Sequence, residues 1–269
     1  VLNSVARTFI GKGSKVVIVA PTFSVYADVT KIYGGRESLV HLRSDFSLDV
    51  DAVIEECERE AVLLFICSPN NPTGNRFDSE DMKKIIRSFQ GIVVLDEAYG
   101  EFSKCSTVQW IRDFDNLMVL KTFSKAFGMA GIRLGYFVSN DSIVKCVKRG
   151  APPFNVNAVA EQLVRIALGN REQFERHTER IIRERDWLFS RLARVEGVTP
   201  YPSETSFILF KITRHQLSSS TVTKALERRG VFLKDFGSNP LLKNCIRVTI
   251  GPRDMNERFL GALREVLGD

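Results

Sequence analysis

Four short runs of aliphatic, mostly β-branched residues recur through the first half of the chain, at Lys15–Ala20, Ala61–Cys67, Gly91–Asp96 and Leu117–Lys121. They hold few polar residues, the pattern of strands covered on both faces rather than strands with one face in water. Between them lie stretches of helical character, Tyr26–Tyr33, Asp49–Arg59 and Ser79–Phe89, the last led by the capping sequence Asp78-Ser79-Glu80-Asp81. Strand and helix in alternation predict an α/β domain with a mostly parallel central sheet and helices on both faces.

In such sheets ligands collect in the crevice beyond the carboxyl ends of the strands. Three polar clusters fall at those ends: Ser68–Gly74 after the second run, Asp96–Tyr99 after the third, and Thr122–Lys125 after the fourth. From about Val156 to Arg194 the pattern turns long and helical, broken near Gly169-Asn170. Beyond it, Phe207–Lys211, Val231–Lys234 and Cys245–Ile250 read as strands, with helices at Ser219–Arg229 and Asp254–Leu267. This predicts a large domain over residues 1–165 and a smaller C-terminal α+β domain over 166–269.

Composition narrows the partners. The balance of 38 basic against 32 acidic residues gives +6, yet the charges are interspersed, and the most basic stretch, Arg171 to Arg194, also carries five acidic residues. Mixed signs at helical spacing describe a solvated helix, not a polyanion-binding face, so nucleic acid is not expected. The five cysteines form no Cys-x-x-Cys pair and the three histidines lie far apart, which argues against a zinc site. No window approaches eighteen apolar residues and no signal pattern opens the chain, so no membrane association is expected and a soluble cytoplasmic protein is.

The clusters suit an aldehyde cofactor such as pyridoxal phosphate, which needs an amine to hold it, an acid to keep its ring nitrogen protonated, and donors for its phosphate. Lys125 offers the amine and, once displaced, a proton shuttle. Asp96 offers the acid. Tyr99 and Asn71 offer hydrogen bonds to the ring oxygen, and Thr122, Ser124 and Arg133 offer two hydroxyls and a guanidinium for the phosphate. Singly, each has a plainer reading: a lysine after a strand is usually at the surface, Asp96-Glu97 is a helix-start signal, and Asn70-Asn71-Pro72-Thr73-Gly74 is a turn.

Taken in order, Ser68-Pro69-Asn70-Asn71-Pro72-Thr73-Gly74, Asp96-Glu97-Ala98-Tyr99, and Thr122-Phe123-Ser124-Lys125-Ala126-Phe127 through Gly131-Ile132-Arg133-Leu134-Gly135-Tyr136 resemble the fold-type-I pyridoxal phosphate aminotransferases. Within them the resemblance is to the histidinol-phosphate aminotransferase family, and it runs from Pro21-Thr22-Phe23-Ser24-Val25-Tyr26 to Cys245-Ile246-Arg247-Val248-Thr249-Ile250-Gly251. It implies Lys125 as the Schiff-base lysine, Asp96 as the pyridinium partner, Asn71 and Tyr99 at the ring oxygen, Thr122, Ser124 and Arg133 at the phosphate, and Tyr26 stacked on the ring. It further implies Arg247, with Lys234 and Asn71, at the substrate. Lys234 stands where many members have a second arginine, keeping the charge without the planar fork.

The implied activity is amino transfer between L-histidinol phosphate and 2-oxoglutarate in a homodimer. The competing expectations are a transaminase for aromatic or other amino acids, a threonine-phosphate decarboxylase, and an inactive truncated remnant. Phe154-Asn155, where the decarboxylases show tryptophan-serine, favours the transaminase. The resemblance also implies residues ahead of Val1 that supply backbone amides to the phosphate and an arm crossing to a partner subunit.

Overall fold

The computed structural model describes residues 1–268, and these form two compact units. One comprises Val1–Asn71 and Arg76–Phe174; the other comprises Pro72–Asn75 and residues 175–268.

In the first unit the chain runs α1 (Leu2–Phe9), β1 (Lys15–Ala20), α2 (Val25–Ile32), β2 (Arg36–His41), α3 (Val50–Glu58) and β3 (Ala61–Cys67). It continues with α4 (Ser79–Ser88), β4 (Ile92–Asp96), α5 (Gly100–Ser103), β5 (Leu117–Thr122), β6 (Gly135–Ser139), α6 (Asp141–Gly150) and α7 (Ala158–Gly169). The sheet order is β2-β1-β3-β4-β5-β6; every neighbouring pair is parallel except β5 with β6. The expected mostly parallel sheet is what forms.

Successive side chains of a strand point to opposite faces. Val16 and Ile18, Leu63, Phe65 and Cys67, Val94, and Met118 and Leu120 therefore share one face, where they pack with Val5 and Ala6 of α1, Tyr26 and Val29 of α2, and Ile143 and Val147 of α6. The intervening residues, Val17, Val19, Leu64, Ile66, Val93, Leu95 and Val119, are also buried. That double burial is why these strands read as unbroken apolar runs. Asp96 and Thr122 continue the parity of Val94 and Leu120, which carries them toward the face of α1, α2 and α6.

Asp78 caps α4 as its sequence requires, its Oδ1 accepting from the amides of Glu80 at 2.8 Å and Asp81 at 3.1 Å. Two strands had no sequence signal. β2 is the sheet edge, and its Arg-Glu-Ser-Leu-Val-His carries only one fully buried residue, so its composition is polar. β6 is antiparallel at the other edge, and none of its residues is fully buried.

The second unit holds most of α8 (Arg171–Leu192), then β7 (Val198–Pro200), β8 (Phe207–Ile212), α9 (Ser219–Glu227), β9 (Lys234–Asp235), β10 (Cys245–Thr249) and α10 (Arg253–Leu267). Its sheet, β7-β8-β10-β9, is antiparallel throughout. Leu188, Leu192, Ile208, Phe210, Ile246, Val248, Leu226, Phe259 and Leu263 form its core. The strand expected at Val231–Lys234 is only Lys234–Asp235, because the amides of Gly230 and Val231 close the end of α9 on the carbonyls of Glu227 and Leu226. Those residues are held in a helix terminus and do not join the sheet. No helix of the described residues is long and apolar enough to cross a membrane.

Candidate active site

Strands β3, β4 and β5 lie side by side, with Cys67 opposite Asp96 and Asp96 opposite Leu120, so the three polar clusters emerge together at their carboxyl ends. After β3, Asn70 is fully buried; its Nδ2 donates to the Pro21 carbonyl at 2.9 Å, and its Oδ1 accepts from the Thr22 hydroxyl at 2.8 Å. This ties the loop following β1 to the loop following β3 and holds Asn71, half-buried, at the neighbouring position. The Ser68 hydroxyl accepts from the Phe77 amide at 3.1 Å and closes the turn.

Asp96 is buried at the end of β4, and both of its carboxylate oxygens are engaged. Oδ2 accepts from the Tyr26 hydroxyl at 2.7 Å and Oδ1 from the Ala98 amide at 2.9 Å. Burial pushes the carboxyl above its ordinary value; the Tyr26 and Ala98 bonds oppose that, Glu97 adds to it, and the positive charge of Lys125 opposes it. Lys125 is exposed, with Nζ 5.3 Å from the centre of the Tyr99 ring, and Tyr99 is itself buried. Asp96, Tyr99 and Lys125 are thus one neighbourhood.

Tyr26 does not meet the expectation of a ring-stacking residue. Its side chain is 0% exposed, one face lies on Phe65 with ring centres 4.8 Å apart and planes 7° from parallel, and its hydroxyl is committed to Asp96. A ring enclosed in the core has no face to offer a ligand. Burial first, and then the charge of Asp96, hold its phenol well above the ordinary value. The aromatic residue open at this place is Phe23, 38% exposed, which meets the Tyr26 ring edge-on at 5.8 Å. Helical spacing carried the signal: Tyr26, Val29 and Thr30 are the buried stripe of α2, whereas Phe23 precedes the helix.

After β5 the chain turns sharply, the Thr122 hydroxyl accepting from the Ser124 amide at 3.1 Å and the Lys125 carbonyl from the Gly128 amide at 2.9 Å. Gly128 sits at φ +64°, a conformation glycine adopts without strain. Arg133 is exposed, and its Nη1 donates to the Ala130 carbonyl at 2.9 Å. It lies close enough to Val1, ahead of α1, to act on it electrostatically. Gly135 lets β6 pair closely with β5: a Cβ there would sit 2.8 Å from the Lys121 carbonyl.

Two residues at these strand ends have no role legible in the sequence, Glu97 within the second cluster and Lys121 just before the third. Glu97 is 2% exposed and accepts from Lys121 at 3.1 Å, from Ser106 at 2.9 Å and from the Thr107 hydroxyl at 2.6 Å. Lys121 also pairs with Glu101 at 3.1 Å; burial works against its charge, and Glu101 and Glu97 together outweigh burial and hold the ammonium up. Each follows or precedes a cluster residue by one position, so strand parity turns both to the other face.

In the second unit Arg247 of β10 pairs in register with Lys234 of β9. Lys234 is exposed and Arg247 is half-buried, its guanidinium 4.8 Å from the Phe207 ring and 5.6 Å from the Phe236 ring. Like charges directly opposite one another disfavour a sheet unless an anion offsets them.

Residues 1–263 match the sequence family described as aminotransferase class I and II. Histidinol-phosphate aminotransferase of Ruminiclostridium cellulolyticum is 34% identical over 266 residues, covering 97% of this chain and 73% of that protein. Its counterpart from Thermoanaerobacter sp. is 37% identical over 268 residues, covering 99% and 75%. Among solved structures, the Sinorhizobium meliloti histidinol-phosphate aminotransferase in complex with pyridoxal-5'-phosphate superposes with a TM-score of 0.91 at 25% identity, covering 99% of this chain and 74% of that one. The L-threonine-O-3-phosphate decarboxylase of Porphyromonas gingivalis reaches 0.85 at 25% identity, covering 100% and 81%.

Proposed function

The chain belongs to the aminotransferase class I and II family, and from that premise we propose that it transfers an amino group between L-histidinol phosphate and 2-oxoglutarate with pyridoxal 5'-phosphate as cofactor. In this reading it works as a homodimeric cytoplasmic enzyme of histidine biosynthesis. The observation that carries the reading is the grouping at the end of β4: a buried carboxylate bonded at both oxygens, within the field of an exposed lysine poised over Tyr99.

That donor set fits the cofactor. A carboxylate whose burial makes its charge costly gains most from a cationic ring nitrogen placed against it. Pyridoxal phosphate, when bound, supplies a reactive aldehyde carbon and a protonated ring that accepts electrons. Asp96 would hold the proton at the ring nitrogen. Asn71 and Tyr99 would donate to the ring oxygen, and Phe23 would cover the ring in place of Tyr26. Thr122, Ser124 and Arg133 would hold the phosphate with two hydroxyls and a guanidinium. Lys125 Nζ would hold the aldehyde carbon and, when freed by the substrate amine, would serve as the base that moves the proton from the substrate α-carbon to the carbon that carried the aldehyde.

Arg247 takes the substrate's anionic group, the phosphate of histidinol phosphate or a carboxylate of 2-oxoglutarate, and Lys234 adds charge to the same pairing. Arg247→Ala is expected to lower kcat/KM for histidinol phosphate by roughly 100- to 1,000-fold, the loss of charge-assisted hydrogen bonds, while leaving the cofactor's visible spectrum unchanged. Steady-state kinetics beside an absorbance spectrum check it. A second copy of the chain is the occupant we assign to α7, whose Val159, Leu163 and Ile166 recur at helical spacing and are 70%, 38% and 61% exposed.

The test is the absorption of the purified protein with pyridoxal phosphate, before and after L-histidinol phosphate is added without an oxo acid. Loss of the lysine-bound band, and its return with 2-oxoglutarate, is the expected result. A band that ignores histidinol phosphate overturns the substrate. The likeness to the Porphyromonas gingivalis enzyme supports one other reading, and carbon dioxide release from threonine phosphate would transfer the assignment to decarboxylation.

A further inference from the structure

We propose that Tyr26 is a positioning residue for this reaction: from within the core its hydroxyl fixes the Asp96 carboxylate at Oδ2 and holds it as the anion that the cofactor's ring nitrogen faces. The inference rests on the cofactor reading above and goes beyond it, since Tyr26 itself touches neither cofactor nor substrate.

The geometry is that of a built support. Tyr26 is 0% exposed, its ring is held flat on Phe65 at 4.8 Å, and its hydroxyl reaches Asp96 at 2.7 Å across 70 residues of sequence. The Ala98 amide holds the other oxygen at 2.9 Å, so rotating the carboxylate in its own plane breaks both bonds. Neither donor is mobile: one is backbone, and the other is a phenol locked by packing on a residue of β3. The remaining groups that act on Asp96 are Cys67, whose Sγ bonds the Pro69 carbonyl at 3.4 Å, together with Glu97 and Lys125.

The chemical consequence follows from which form the bond favours. A hydrogen bond donated to a carboxylate stabilises the anion and lowers its basicity, against the burial that raises it. Remove the donor and the carboxylate becomes the stronger base. The proton shared with the ring nitrogen then moves toward Asp96, and the ring loses the cationic character that makes it an electron acceptor. Tyr26 thus sets where that proton resides, and the aromatic body of the residue serves only to hold the hydroxyl in place.

Tyr26→Phe keeps the stack on Phe65 and removes only the donor. With ring-15N-labelled pyridoxal phosphate bound, its nitrogen resonance is expected to move toward the unprotonated value. The cofactor dissociation constant should rise about 10- to 100-fold, as for a lost hydrogen bond to a charged group, and kcat should fall while KM for the amino donor changes little. If the phenylalanine variant does not fold, 4-aminophenylalanine in place of Tyr26 keeps a weaker donor of the same shape, and a smaller nitrogen shift in the same direction is expected. A wild-type nitrogen resonance and wild-type cofactor affinity in the folded variant overturn the proposal, even if stability drops, because that is what a purely structural residue would give. Failure of the wild-type protein to form a lysine-bound band at all would instead sink the cofactor reading on which the proposal stands.

Discussion

Lys125→Ala is expected to lower kcat by roughly 10,000-fold or more and to abolish any borohydride-trapped cofactor adduct. Two functions disappear together, the amine that holds the aldehyde carbon and the base that moves the α-proton, and a positioned general base alone is worth about 100- to 10,000-fold. The fold should not suffer: Lys125 is exposed, and the turn around it is made by the Thr122 hydroxyl and by backbone bonds. Peptide mapping after borohydride reduction checks the assignment directly. An adduct that persists on a different lysine, with activity retained, would show that the reacting amine lies elsewhere.

Asp96→Asn should reduce kcat by roughly 100- to 1,000-fold, the scale of losing one preorganised electrostatic partner. It should also shift stability in opposite directions with and without cofactor. In the protein alone, the folded-state pKa of Asp96 lies above its unfolded value because of burial. A raised carboxyl favours the folded state while protonated, below the unfolded pKa of about 3.9, and that advantage is lost as pH rises through the folded pKa. At neutral pH the buried Asp96 therefore costs stability, and asparagine, which can accept from the Ala98 amide and donate to the Tyr26 oxygen, does not carry that cost. The variant should melt higher than wild type without pyridoxal phosphate and lower with it. Thermal unfolding from about pH 4 to pH 8, with and without cofactor, reads both arms. If Asp96→Asn gains as much Tm from the cofactor as wild type does, the carboxylate is not the partner of the ring nitrogen.

The strands of the parallel sheet were legible because a chain segment buried on both faces has to be apolar at every position, and no distant information is needed to see it. The clusters at their ends were legible for the same local reason: they are contiguous, and a strand end in such a sheet opens on the ligand crevice. Strands β2 and β6 were not legible, since an edge strand satisfies only one side of its ladder and carries no distinctive composition. The strand expected from Val231 starts only at Lys234, because the end of α9 takes the amide of Val231.

Within the site, the sequence determined which chemical groups are present, in what order, and at which strand ends: Asp96, Tyr99, Asn71, Thr122, Ser124 and Lys125 are fixed there by position along the chain. Only the tertiary structure decided which side chains meet across long separations. It turned Tyr26 inward to Asp96 and left Phe23 outside, sent Glu97 to Lys121 on the opposite face, and set Arg247 against Lys234. The physical reason is that strand parity and helix phase choose a side chain's face, whereas its partner on that face is set by packing between elements distant in sequence, whose pairing no local pattern encodes.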